Sequence, residues 1–106
     1  MADSDAGVAI YWDFENVHAC LMDDLVGEGA YRSGRFRPQD PLVDIDPVAE
    51  YAATFGRIVV HRAYGNWQYF ARYRDELQAH AVDLGLARKL GRFGKDLTRT
   101  VVVWVN

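Results

Sequence analysis

Val8-Ala9-Ile10-Tyr11-Trp12-Asp13-Phe14-Glu15-Asn16-Val17 is the stretch on which the fold turns, because an unbroken apolar run passes straight into a carboxylate. A strand with one solvated face alternates apolar and polar side chains. A continuous run of β-branched and aromatic residues instead belongs to a strand buried on both faces of a parallel sheet. C-terminal to it, Asn16 to Leu25 sets Val17, Cys20, Leu21 and Leu25 on one helical face, with Asp23 and Asp24 off it. A strand that feeds directly into a helix opens an α/β unit.

Outward from that unit, Gly27 to Leu42 loses periodicity and brings Arg32, Arg35 and Arg37 into close spacing, which marks an exposed loop over residues 27–42. Loops this long are uncommon in small domains unless functional or disordered. Asp46-Pro47 reads as an N-cap followed by proline at the first helical position. Val48, Tyr51, Ala52 and Phe55 form that helix's apolar stripe, and Gly56 stops it. Ile58-Val59-Val60 is a second short buried strand within Arg57 to Ala63, leaving through Tyr64-Gly65-Asn66-Trp67. Phe70, Tyr73, Leu77, Ala81 and Leu84 recur at intervals of three and four, so a helix ending near Gly85 is expected. Leu86 to Leu90 is a candidate third strand, weakened by Arg88 and Lys89, and Gly91 to Gly94 is a loop. Val101 to Val105 has strand composition, while Asp96-Leu97-Thr98 after Gly94-Lys95 would equally open a helix, and composition leaves both open. The alternation implies a parallel α/β sheet with right-handed crossovers.

A chain of 106 residues fits one domain, 1–106, since domains commonly run to roughly 100–150 residues. With 50% apolar residues it has the composition of a packed globule rather than a disordered chain. Cys20 stands alone, which excludes an internal disulfide or a thiolate metal cluster, so a reducing, cytoplasmic setting is expected. Met1 to Gly7 lacks the positive start and apolar run of a secretory signal, and no apolar run approaches the roughly 20 residues needed to cross a bilayer. A formal net charge of −3 gives no global attraction to nucleic acid, so any such binding must be local.

In open α/β sheets, functional groups gather at the carboxyl ends of strands, and Asp13 falls at such an end. A carboxylate there needs a hydrogen bond, a charge partner or a cation. Asp13 as a simple helix cap is the competing interpretation, and Asn16 would either cap or orient it. Glu15 reads as a solvated first-turn acid. His18, His61 and His80 lie in different elements without ligand spacing and read as core or helix-face residues. Gly91 to Asp96 lacks the spacing of a phosphate loop, and Gly27-Glu28-Gly29 lacks the third glycine of a dinucleotide fingerprint. Arg32, Arg35 and Arg37, interleaved with Tyr31 and Phe36, would grip RNA through phosphate contact and base stacking, or form a solvated loop. Arg62, Arg72, Arg74, Arg88, Lys89 and Arg92 would extend that basic surface if they share a face.

Asp13-Phe14-Glu15-Asn16-Val17 after an apolar strand resembles the opening motif of NYN domains, in which an Asp and a nearby Asn begin the active site. Val59 to Trp67 is similar to the family's second strand and its aromatic exit, and Gly94-Lys95-Asp96-Leu97-Thr98 to its Gly-Lys helix start. The resemblance implies a PIN-like three-layer sandwich around a central parallel sheet, with acids at one end holding Mg²⁺ or Mn²⁺ and cutting RNA. The resemblance implies Asp13 and Asn16 as the catalytic residues, Asp13 as the first metal ligand and Lys95 as a phosphate contact; Asp96 is the substitute second metal ligand, and Arg99, Arg35 and Arg37 complete the candidate RNA-binding set.

The chain departs from the family at Arg99, which stands where a second Asp is usual, and it carries no Ser-Gly-Asp-Ser-Asp segment. The sheet is therefore expected to be incomplete and the chain a fragment or truncated product that cleaves RNA poorly or not at all. Two functions remain open: a metal-dependent RNA endonuclease, or a degenerate NYN-like module that binds RNA or a protein partner without cleavage. An unpaired apolar strand at Val101 to Val105 would also invite self-association along its edge, readable by sedimentation at high concentration.

Overall fold

The computed structural model describes residues 7–85 and 100–106. Four strands form an all-parallel sheet in the order β3-β2-β1-β4: β1 Gly7–Asp13, β2 Arg57–Tyr64, β3 Asp83–Gly85 and β4 Thr100–Val105. The expected first strand is found, and Val8 through Trp12 are all buried. From β1 the chain steps outward to β2 and β3, then returns to lay β4 on the other side of β1. The strand order thus reverses at β1, which is where open α/β sheets place their ligand crevice.

Val8, Ile10 and Trp12 face the main core, to which every described α-helix contributes: α1 (Phe14–Val26), α2 (Ala30–Gly34), α3 (Asp46–Ala53) and α4 (Arg74–Ala79). Ala9 and Tyr11 face the opposite side with Tyr64 and Val60. The main core is aromatic. Phe14 meets Tyr73 edge-on at 4.6 Å between centroids and also contacts Trp12, Trp67 and Phe70. Such edge-on pairs add to simple burial because ring edges are positive and faces negative.

Several expectations need correction. In α1 the buried stripe is Phe14 and His18, flanked by Val17 and Leu21, whereas Cys20 is exposed and Leu25 is 65% exposed. The helix starts at Phe14, so its inward stripe is set by that anchor. The segment 27–42 is not all loop: it contains α2 and buries Gln39. Asp46 is the first residue of α3 rather than its cap. Its N–H donates to Asp44 Oδ1 at 3.1 Å, and its carboxylate pairs with His80 Nε2 at 2.6 Å. In that helix only Ala52 is buried, and Tyr51 is 60% exposed.

In β2 the apolar triplet is not the buried part. The register slips between Val8 and Ala9, so Val59 is bulged out of the pairing and 49% exposed, while His61, Ala63 and Tyr64 are buried. The bulge explains Gly7, since a Cβ there would lie 2.7 Å from Val59 Cγ2.

The helix expected up to Gly85 is also broken. A 3₁₀ turn, Ala71–Tyr73, leads into α4, which ends at Ala79, and Leu84 lies on β3. Ala81 takes φ 53°, with its N–H on Gln78 O and the Val82 N–H on Leu77 O. These bonds close the helix in a Schellman turn, whose left-handed position suits glycine. Leu86 to Leu90 and Gly91 to Gly94 lie outside the described residues. Val101 to Val105 is strand, paired in parallel with β1 and at one edge of the described sheet. Among the described residues no helix is long and apolar enough to cross a membrane.

Two stability tests follow. Ala81→Gly removes a left-handed alanine and should raise unfolding free energy by about 0.5–1 kcal/mol in urea denaturation; a loss of stability would contradict the turn. The second concerns His61, which accepts the Trp12 Nε1–H at 2.9 Å and is 5% exposed. Burial, then the nearby His80, lowers its pKa from 6.5 to about 4, against a backbone hydrogen bond with His80. A folded value below the unfolded one means stability is full above about 6.5 and falls as pH drops toward 4, by up to about 1.4 kcal/mol per pH unit. His61→Gln should flatten that acid limb, and an unchanged limb would remove His61 as its cause.

Candidate functional site

Asp13 is the last residue of β1 and the N-cap position of α1. A helix N-terminus leaves backbone N–H groups unpaired, and a capping carboxylate normally takes one. Asp13 does not: it makes no side-chain cap hydrogen bond. The simple capping interpretation is thereby removed. The carboxylate lines a cleft of about 360 Å³ with Glu15, Asn16, Ala19 and Tyr31.

The neighbours of Asp13 are each held. Asn16 Nδ2 donates to Asn106 Oδ1 at 2.5 Å, tying the first turn of α1 to the residue that follows β4. The Tyr31 backbone N–H donates to Asp23 Oδ1 at 3.0 Å, fixing the start of α2 against α1. Burial, followed by the charge of Glu15, pushes the Tyr31 pKa up to about 12. Glu15 is half-buried in the same cleft as Tyr31 rather than the fully solvated acid read from sequence. Gly65, at the exit of β2, packs against the same turn: a Cβ there would lie 3.7 Å from the Glu15 nitrogen. Beyond it, Trp67 Nε1–H and the Gly65 N–H both donate to Gly85 O, at 2.8 and 3.2 Å. Gly85 has to be glycine because a Cβ would meet the Tyr64 ring at 2.8 Å.

The segment bearing the arginines is anchored by a buried relay. Tyr73 Oη accepts the Leu42 and Val43 N–H groups at 2.7 and 3.0 Å. Its own proton goes to His18 Nδ1 at 2.8 Å. His18 Nε2–H then donates to Gln39 Oε1 at 3.2 Å, and Gln39 Nε2 donates to the Gly34 and Arg37 carbonyls, both at 2.8 Å. Two carbonyls facing the Gln39 amide fix its orientation, and that orientation fixes the histidine tautomer. Burial lowers the His18 pKa, with Gln39 and Glu15 opposing, so the ring stays neutral. His18 is a core residue, as its sequence position suggested.

Arg35 and Arg37 are exposed on this anchored segment. Arg35 lies over the Phe36 ring, 4.6 Å from its centroid, and Phe36 meets Tyr69 at 6.1 Å. Arg72 is engaged by Asp40. A larger cleft of about 460 Å³ lies between α1 and this segment, walled by Met22, Val26 and Leu42 among others. Its carboxylate, Asp40, is the one engaged by Arg72, so charge chemistry points to the smaller cleft at Asp13.

Lys95, Asp96 and Arg99 lie outside the described residues. Of the expected site residues the structure thus brings Asp13 and Asn16 together, and sets Arg35 and Arg37 on the segment that begins at Tyr31. Among the described residues no group of three or more His, Cys, Asp or Glu side chains is arranged to hold a metal. Asp13 fits one end of such a site, since Mg²⁺ commonly takes one or two carboxylates and keeps several waters. Sequence reasoning did not find Asn106, Tyr69 or the meeting of Tyr31 with Glu15 in one cleft, all long-range in the chain and without a local signal.

The NYN domain model matches residues 7–96. The chain belongs to the NYN domain family. This is a PIN-like nuclease family, and the all-parallel sheet with its helices is the α/β fold such a domain has. No curated protein and no solved structure matches the chain.

The relay generates a test. Tyr73→Phe leaves the buried Val43 N–H, the half-buried Leu42 N–H and a histidine nitrogen without this partner, at a cost of roughly 3 kcal/mol. Amide exchange at Leu42 and Val43 should accelerate more than exchange in β1. Unchanged protection at those amides would show that the phenol does not hold the segment.

Proposed function

We propose that this NYN domain is a metal-dependent RNA endonuclease that hydrolyses phosphodiesters at Asp13. The observation that supports this most is a carboxylate at the reversal point of the strand order that lines a cleft without capping its helix. Asp13 would hold Mg²⁺ or Mn²⁺, with Asp96 standing in for the second acid that the family pattern has at the position of Arg99. Bound there, the metal would supply charge neutralisation at the phosphate and a more acidic water.

The chain's own residues account for the rest. Asn16, steadied by Asn106, presents its amide beside Asp13. The positive end of α1 favours a phosphate at the same opening. Arg35 and Arg37, with Lys95 and Arg99, would bind flanking phosphates. A second copy pairing along β4 belongs to the same proposal, supported by the edge position of that strand.

The second function, RNA binding without cleavage, is favoured by Arg99, a cation where the family pattern has an acid. A nuclease assay on a labelled RNA separates the two. Slow cleavage with Mn²⁺, stopped by EDTA and at least about 100-fold weaker in Asp13→Asn, is expected. Binding without cleavage would select the second function. Cleavage that survives EDTA or is undiminished in Asp13→Asn would overturn the assignment to Asp13.

A further inference from the structure

Within the arginine segment, two aromatic residues have opposite fates. Tyr31 turns inward, packing against the core and lining the Asp13 cleft with Glu15. Phe36 stays 71% exposed. An exposed phenylalanine on a loosely held loop would need no explanation, but this one is held on both sides. Gln39 clamps the carbonyls of Gly34 and Arg37, which bracket it, and the Gln39 N–H is fixed on Tyr69 O at 2.8 Å. The clamp itself is buried and runs through His18 to Tyr73. Tyr69 backs the ring edge, and the Arg35 guanidinium lies over it.

We propose that Phe36, backed by Tyr69 and flanked by Arg35 and Arg37, is a stacking subsite for one unpaired base of an RNA strand entering the Asp13 cleft. The choice of RNA as ligand rests on the nuclease proposal above. A flat, exposed, positioned ring supplies base stacking, which needs no particular base because every base has a π-face. The guanidinium adds a planar cation for the base or its phosphate. A base within a duplex already has both faces covered by its neighbours, so the subsite accepts unpaired bases. Continuity with the cleft comes from the chain path: Tyr31, which lines the cleft and is tied to Asp23 of α1, leads into Gly34 to Arg37, whose end carbonyls Gln39 holds around Phe36.

The test uses the full chain in EDTA, so that nothing is cut, with a short single-stranded RNA carrying 2-aminopurine at successive positions. Stacking should quench the fluorescence of the probe at one position. Phe36→Leu, a change at an exposed site, should abolish that quench and weaken binding by roughly tenfold. Phe36→Trp should retain both, and the same RNA annealed to its complement should show no dependence on residue 36. RNA binding by the wild-type chain that Phe36→Leu leaves unchanged would overturn the subsite while leaving the nuclease proposal standing. No RNA binding by the wild-type chain in EDTA would overturn the subsite as well, while the nuclease proposal stands or falls by its own cleavage assay with Mn²⁺.

Discussion

The structure depends on one strand that cannot be anywhere but the middle. Val8 to Trp12 offers no polar face, so β1 has to be covered on both sides and paired on both edges. With β2 on one side and β4 on the other, its carboxyl end becomes the place where the strand order reverses. Asp13 follows with no freedom of position: the residue after a fully buried strand and before a core-packed Phe14 lies at the mouth of the crevice. The acid at the proposed catalytic position is thus set by the hydrophobic effect acting on its neighbours rather than by contacts of its own.

The second organising feature is polar. The Tyr73–His18–Gln39 relay buries a phenol, an imidazole and an amide with all their partners in place, and among the described residues no buried side-chain polar atom is unsatisfied. A half-satisfied network would cost more than an apolar core, while a complete one specifies a single arrangement. What it specifies here is the path of residues 34–43, and so the positions of Arg35, Phe36 and Arg37 relative to α1. A segment that looks like loop from its composition is pinned through its own backbone carbonyls and amides.

Sequence legibility follows the same division. The buried run of β1, its passage into a helix and the Asp13-to-Val17 motif were all readable, because each is carried by neighbouring residues. The boundaries that failed depended on backbone geometry and pairing that side-chain composition does not carry. Val59 reads as buried until the register slip beside Val8 expels it. The stripe through Leu84 reads as helix until Ala81 closes α4 in a left-handed turn. Val101 to Val105 was undecidable from composition, and pairing with β1 resolves it as strand. Of the candidate site, Asp13, Asn16, Arg35 and Arg37 were legible as types at suggestive positions. Tyr31 beside Glu15, Asn106 on Asn16 and Tyr69 behind Phe36 were not, since each pairs residues that only the fold brings together.

The most direct measurement is Mn²⁺ titration of the isotope-labelled chain, followed by paramagnetic broadening of its amide resonances. Broadening centred on Asp13, Glu15 and Asn16 and extending to Gly65, which packs against that turn, is the expected result, and it should vanish in Asp13→Asn. Broadening centred instead on Asp44 and Asp46, or persisting in Asp13→Asn, would contradict the assignment of Asp13 as the acid that holds the metal.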